Sequence, residues 1–484
     1  MRACAARQKT TRDPRMALVF DRNGLAVVTS DGQLWRKTSP PGDLDAEGEV
    51  TLGRCAVPSA HPVLLFSSSL AGGAQACVLG DGSLWTWGNN YTGMLGHGDR
   101  ETLAVPTRVH GGSVGDSLVV LAACAQQHLL VLTSDGRVHS CGSAMHGRLG
   151  QVFAHPAPGT PDALIPPAAW FAYENRATLA VVGADDFRAT RVCMVAAGNA
   201  HSVALDDSGF VWTWGLGSYG ALGCSAAAAH RLLPARLPLE ALGNNRAVQI
   251  AADSNVSLAV AADGVAVWAW GRMHSGNSRV PRRVATAAAF GGARVCSAAC
   301  AKSHFVVVTS DGALWTWGVS RHGALGHGRE HRHIRVPRRI EGAPRCVAVA
   351  AALDRSAALS EHGLPYHWGR FAANAPCRYF PEVLLEQTVG PFHPVPAEHA
   401  LAFAMGGHQR LGAASPLFTA GVELMQLFVE TARDGAAGCM RRLEGVTRLL
   451  GGGFRYSRGG ARARAPRLLP GGWDAPPPAP AAQP

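Results

Sequence analysis

The sequence predicts an all-β protein, a seven-bladed β-propeller built from repeats of about 50 residues. Three observations predict it. A segment of the form D-G-x-hydrophobic-W-x-W-G recurs along the chain, its period is nearly constant, and each copy lies inside the same series of short apolar runs. Strong copies begin at Asp81 (DGSLWTWG), Asp207 (DSGFVWTWG) and Asp311 (DGALWTWG), and weaker ones at Asp31, Asp135, Asp263 and Glu361. The closing glycines Gly88, Gly142, Gly215, Gly271, Gly318 and Gly369 are spaced by 54, 73, 56, 47 and 51 residues.

Each copy has the same anatomy. A run of small apolar residues (VCMVAAG, VQIAAD, VCSAAC) comes first, then a second run (HSVAL, VSLAV, HFVVV), the D-G turn and the aromatic run. Asp-Gly between two alternating runs is a hairpin signal, and β-branched and aromatic flanks suit strands. Several copies continue into V-P-x-R, as at Val105-Pro106 and Val336-Pro337, where proline suits a strand start or an edge. One unit is thus a sheet of about four antiparallel strands that cannot bury both faces alone. Seven in a ring can. The repeats lack the amphipathic helices that a TIM barrel interleaves with its strands, and an open solenoid is the competing arrangement.

Around this ring the chain divides into four parts. Residues 1–15 form a basic arm. Residues 16–390 form the propeller, with an insertion at about 151–190 that accounts for the 73-residue interval. Residues 391–440 form an extension in which Val422, Leu424, Leu427, Phe428 and Thr431 follow the spacing of a short helix. Residues 441–484 are rich in Arg and Gly, then in Pro, a composition that stays disordered in isolation.

Composition narrows the function. Charged residues make up 16% of the 484, below the ordinary ~25%. No apolar run approaches the ~20 residues of a spanning helix, so no membrane association is expected. The N-terminus has no apolar h-region of a signal peptide, while its arginines leave a mitochondrial transit segment open. Twelve cysteines without a C-x-x-C pair read as small buried hydrophobes in a reducing compartment. An intracellular site, nucleus or cytoplasm, follows. The net charge is +11, and residues 1–15 (+4) and 441–467 (+7) account for it.

The propeller body is near neutral but uneven. Arg272, Arg279, Arg282 and Arg283 cluster without an acid, and Arg321, Arg329, Arg332, Arg335, Arg338 and Arg339 cluster with Glu330 alone. Both clusters follow the aromatic run of their repeat, so they are expected in the connections after blades five and six, side by side on one basic face. Such a face suits an acidic protein surface or the backbone of nucleic acid, without base readout. Trp170, Phe171 and Tyr173 in the insertion are candidate anchors for a partner. Arg455, Arg458, Arg462, Arg464 and Arg467 are candidate contacts in the tail.

No catalytic constellation appears. G-x-x-x-x-G-K-[ST], H-E-x-x-H and G-x-S-x-G are all missing. Asp185 and Asp186 are adjacent and, on a strand, would face opposite ways. His322, His327, His331 and His333 could bind a metal adventitiously only. No cofactor and no metal are expected, and enzymatic activity stays open.

With these residues in view, the chain resembles the regulator-of-chromosome-condensation repeat family. Blade six carries its pattern through His304, Gly312, Trp317, Gly318, Gly323, Leu325, Gly326, Gly328, Pro337 and Ile340. Blade two does so through Gly82, Trp87, Gly88, Gly93, Leu95, Gly96, Gly98, Pro106 and Val109, and blade four through His201, Gly209, Trp214, Gly215, Gly220, Leu222 and Gly223. Blades one, five and seven depart from it. The stretch 399–416 is similar to segments of repeat proteins from giant DNA viruses of amoebae, which would place the protein in a host cell. The resemblance implies a non-enzymatic scaffold for protein–protein interaction that binds chromatin, nucleosomes and their histones, through a basic face. It also implies an alternative, a guanine nucleotide exchange factor for a small GTPase. The 420–434 helix is similar to adaptor helices of ubiquitin-ligase substrate receptors, a second alternative.

Overall fold

The computed structural model describes residues 17–383 apart from short connections, of which 38–51 and 152–174 are the longest. The D-G turns close as read. At Gly312 the backbone has φ +79°, which glycine adopts without strain, and Asp311 Oδ1 accepts the Ala313 N–H at 3.2 Å. Each turn joins the second and third strands of a four-stranded meander in which every strand pairs with its sequence neighbours. Seven such blades span 17–55, 63–108, 119–181, 192–236, 247–286, 295–339 and 346–383.

The first strands line the axis. Each contacts the first strands of both neighbouring blades, and Ala17–Asp21 of blade one contacts Cys346–Ala352 of blade seven, so the ring is closed rather than an open solenoid. Among the described residues every blade is built from consecutive sequence. The small residues of VCSAAC and CVAVAAA lie where blades crowd the axis. The larger core side chains fill the spaces between blades, as where Val260 and Val267 of blade five meet Val295, Val307 and Trp317 of blade six.

Two details differ from the sequence reading. Arg176–Val181, expected within the insertion, is the outer strand of blade three. Asp185 and Asp186 open a one-turn helix, Asp185–Arg188, rather than lying on a strand. The N-terminal arm, the extension with its helix, the stretch 399–416 and the tail lie outside the described residues.

The repeat motif is a device for joining blades. In blade four the second tryptophan, Trp214, donates its indole N–H to the Arg148 carbonyl of blade three at 3.0 Å, and the Ser202 hydroxyl donates to the same oxygen at 2.9 Å. Ser202 Oγ lies 2.9 Å from His128 Nε2 of blade three. Because the serine proton goes to the carbonyl, the histidine donates through Nε2. The same trio recurs at the next seam, where Trp270 and Ser257 meet the Ala221 carbonyl and His201 meets Ser257. It recurs again where Trp368 and Ser356 meet the Ala324 carbonyl and His304 meets Ser356. Within a blade, the hydroxyls of Thr86, Ser140, Thr213 and Thr316 each donate to the leucine carbonyl of that blade's own G-x-L-G loop. The loop is thus pinned to its own blade and accepts hydrogen bonds from the next.

The glycines of the loop allow backbone to touch backbone. A Cβ at Gly220, φ +87°, would stand 2.3 Å from the Ser278 carbonyl oxygen and 2.5 Å from Arg279 Cα of the next blade. We expect Gly220→Ala to cost roughly 2–4 kcal/mol, because neither the loop nor the strand can move without opening the seam. Gly276→Ala, also at positive φ (+108°) but with nothing within 4 Å, should cost only about 1 kcal/mol. Urea unfolding of the two variants checks the contrast, and equal losses would refute the seam account.

The seam histidines also make stability depend on pH. Burial lowers the pKa of His201 and His304 from 6.5 to about 4. Between these values the unfolded chain binds protons that the folded chain does not, so stability falls as pH drops from 6.5 towards 4 and is lost no further below. Each such histidine contributes on the order of 3 kcal/mol across the window. Urea midpoints measured from pH 7 to 4.5 should fall steadily; a flat profile contradicts neutral seam histidines.

Candidate binding site: a basic outer wall

The fourth strand of each blade is an edge, with one row of backbone groups facing outwards. Pro106, Pro234, Pro281, Pro337 and Pro381 interrupt that row in five of the seven blades, and each lies beside a register shift against the third strand. Proline without an N–H and a bulge both discourage another strand from pairing there. The side chains on this wall are almost all of one sign. Among the described residues the outer strands carry twelve arginines and one acid, Glu382, which is ion-paired with Arg378. Arg54, Arg108, Arg236, Arg283 and Arg339 stand at one repeated position, in register with Trp35, Trp85, Trp212, Trp268 and Trp315.

The wall is most basic on blades five and six. Arg279, Arg282 and Arg283 lie on Gly276–Thr286, and Arg335, Arg338 and Arg339 on His333–Arg339. Arg272 ends the neighbouring strand of blade five, and Arg329 and Arg332 precede the blade-six strand. Most of these side chains therefore sit on outer strands and not, as expected, in the connections. All nine are exposed, and the two outer strands touch each other. Arg321, Trp170, Phe171, Tyr173 and the tail arginines lie outside the described residues.

Among the described residues none of the nine forms an ion pair with a carboxylate. Arg272 stacks over Tyr219 at 4.9 Å and Arg329 over Tyr379 at 5.1 Å, while Arg338 lies 3.2 Å from His331 Nε2. Arg339 acts at longer range on Asp311. Burial works against ionisation of that carboxyl, but bonds from the Thr309 hydroxyl and the Ala313 N–H, helped by Arg339, hold its pKa below the ordinary value. Between the arginines stand exposed apolar side chains at the residue before proline: Val280 at 41% and Val336 at 68%. Sequence reasoning passed over one signal. The pentapeptide Arg-Val-Pro-Arg-Arg occurs twice, at 279–283 and 335–339, at the same place in two adjacent repeats.

Of the four histidines of this region, His327 and His331 meet edge-on with ring centroids 6.5 Å apart, and the other two lie on separate partners. His327 meets the Thr316 hydroxyl at 2.9 Å, and burial pushes its pKa down to about 4. His322 faces Asp354, and His333 packs on His274. Among the described residues no three His, Cys, Asp or Glu side chains are grouped to hold a metal. None of the described helices is long and apolar enough to cross a membrane. What the wall offers chemically is fixed positive charge beside apolar contacts, suited to binding.

Closed ring, repeated seams and basic wall define a seven-bladed repeat propeller. Residues 81–132, 208–260 and 311–359 match the regulator of chromosome condensation (RCC1) repeat, and 192–221 match a second model of it. The chain is 30% identical over 313 residues to the E3 ubiquitin-protein ligase HERC2 of Homo sapiens, a match covering 62% of this chain and only 6% of that protein. Among solved structures it is similar to human WBSCR16, with TM-score 0.58, 23% identity and coverage of 69% of this chain and 84% of that one. Saccharomyces cerevisiae Prp20p, whose structure was described with its binding to Gsp1p and histones, follows at TM-score 0.54 and 20% identity, covering 67% and 77%. These structural likenesses define the fold.

Wall and seam arginines should separate cleanly by mutation. Arg148 is buried and donates to the Met145 carbonyl, Gln127 Oε1 and the Asn199 carbonyl. Burial lowers its pKa to about 10. Arg148→Ala should cost about 3 kcal/mol, whereas Arg282→Ala and Arg338→Ala should each stay within about 0.5 kcal/mol of wild type. Thermal unfolding of the three variants measures this. A large loss at Arg282 or Arg338 would make the wall structural.

Proposed function

We propose that the protein is a non-enzymatic interaction scaffold that docks an acidic macromolecular surface on the outer wall of blades five and six, with the nucleosome as the leading partner. The observation that carries this reading is the doubled Arg-Val-Pro-Arg-Arg strand, whose exposed arginines have no carboxylate partner among the described residues. Holding like charges side by side is unfavourable unless an anion meets them. Exposed valines between them give a partner apolar area as well as charge. The likeness to Prp20p, described with binding to histones, supports the choice of nucleosome as the first partner to test.

The triple variant R335E/R338E/R339E should bind nucleosomes at least roughly tenfold more weakly than wild type at 0.1 M salt. Wild-type affinity should itself fall as salt rises. Fluorescence anisotropy with labelled nucleosomes reads both. Wild-type affinity in the triple variant refutes this reading, and the exchange-factor reading then takes its place if the chain speeds nucleotide release from a small GTPase.

A further inference from the structure

Each described G-x-L-G loop rests on the next blade's outer strand at one position, two residues before the proline or its equivalent. Gly93 abuts Ala177, Gly147 abuts Leu232, Gly220 abuts Arg279 and Gly323 abuts Tyr379. At two seams the contact includes an edge hydrogen bond: the Gly98 N–H donates to the Ala177 carbonyl at 2.8 Å and the Gly328 N–H to the Tyr379 carbonyl at 3.1 Å. The loop thus occupies the strand edge that would otherwise face solvent.

Blade five has no such loop. Its strands Ala266–Met273 and Gly276–Thr286 join through His274 and Ser275 alone. The hydroxyl that pins a loop is missing with it, and the seam is apolar. Ala269 replaces the hydroxyl that pins the loop in blades two, three, four and six, and at the seam Val256 and Phe305 replace the histidine and serine. His274 packs on Phe305 and His333 with ring centroids 6.1 and 6.0 Å apart, closing the seam with side chains. Arg335, at the position where other blades receive the loop, and Val336 beside it stay exposed.

We propose that this open edge of blade six takes an extended acidic segment of a partner protein, which supplies the clasp blade five lacks. A backbone N–H of the segment donates to the Arg335 carbonyl as those of Gly98 and Gly328 do at their seams. Its carboxylates meet Arg279, Arg335 and Arg338, and Val336 gives it an apolar contact. Pro337 ends the pairing. A peptide fits the edge better than nucleic acid does, because a phosphate backbone has no donor for a carbonyl and gains nothing from an exposed valine. The inference rests on the basic-wall reading above and adds the edge pairing to it.

The test uses the full chain and a short labelled peptide of alternating Glu and Gly, beside the same peptide with every backbone nitrogen methylated. The unmethylated peptide should bind, and the methylated one at least roughly tenfold more weakly. A thymidine oligonucleotide of equal charge should not displace it. A variant with His274 and Ser275 replaced by the blade-two loop, residues 89–102, keeps every arginine and covers the edge. It should lose peptide binding and keep nucleosome binding. If that variant does not fold, the pair of peptides still decides. Equal affinity for the two peptides, displacement by the oligonucleotide, or nucleosome binding without peptide binding overturns the edge pairing and leaves the basic wall standing. Loss of both peptide and nucleosome binding in the wild-type chain overturns both.

Discussion

Three seams of the ring each depend on one backbone carbonyl. At Arg148, Ala221 and Ala324 a single oxygen of one blade accepts an indole N–H and a serine hydroxyl from the next. A carbonyl has two lone pairs, so the oxygen is saturated and neither donor is left unpaired in a buried place. That arrangement needs the carbonyl to project past its own blade, which the G-x-L-G loop achieves by approaching the next strand too closely for a side chain. It also needs the loop held down, which the hydroxyl between the two tryptophans does. Leucine, glycine, tryptophan, serine and histidine are therefore parts of one joint.

This explains why the repeat was easy to read and the function was not. The matched segments begin at the D-G turn of one blade and run into the second strand of the next, so the unit visible in sequence is the seam rather than the blade. Trp214, Gly220 and His201 announce the fold because the joint permits few alternatives. By the same logic they are consumed by it: buried, neutral and hydrogen-bonded, they cannot meet a partner. Binding must use positions the joint leaves free, and those carry no repeated constraint that a reader of sequence could recognise.

The arginine clusters illustrate the limit. Their charge and scarcity of acids are plain in the sequence, but the reading puts the clusters in connections even though it gives the V-P-x-R proline to a strand start or an edge, and most of these arginines lie on such an edge strand, with a bulge at proline. A strand that faces solvent on one side and is broken by proline has little of the alternation that marks strands elsewhere. Blade three's outer strand, Arg176–Val181, was lost for a related reason: with an inserted loop before it and no proline or arginine pair within it, nothing distinguished it from the insertion. Closure was undecidable from sequence, since packing of Ala17–Asp21 on Cys346–Ala352 leaves no pattern in either segment.

Blade five then stands out for what it omits. Losing a loop in a ring of this kind should leave an unfilled seam. Here three substitutions fall together: alanine for the pinning hydroxyl, valine for histidine and phenylalanine for serine. With the loop's carbonyl gone, a serine or histidine at this seam would be a buried polar group without its partner, at a cost of about 1–3 kcal/mol, whereas Phe305 stacked on Trp317 at 5.2 Å fills the same space with apolar contact. The seam is thus rebuilt inside while the edge of blade six outside is left bare, and it is bare where the wall is most basic. A mere deletion would explain the missing loop. It would not by itself explain why the two outer strands that flank it carry the same five residues, Arg-Val-Pro-Arg-Arg, exposed and without acids. Both features are accounted for together if that edge is kept open for a partner's backbone.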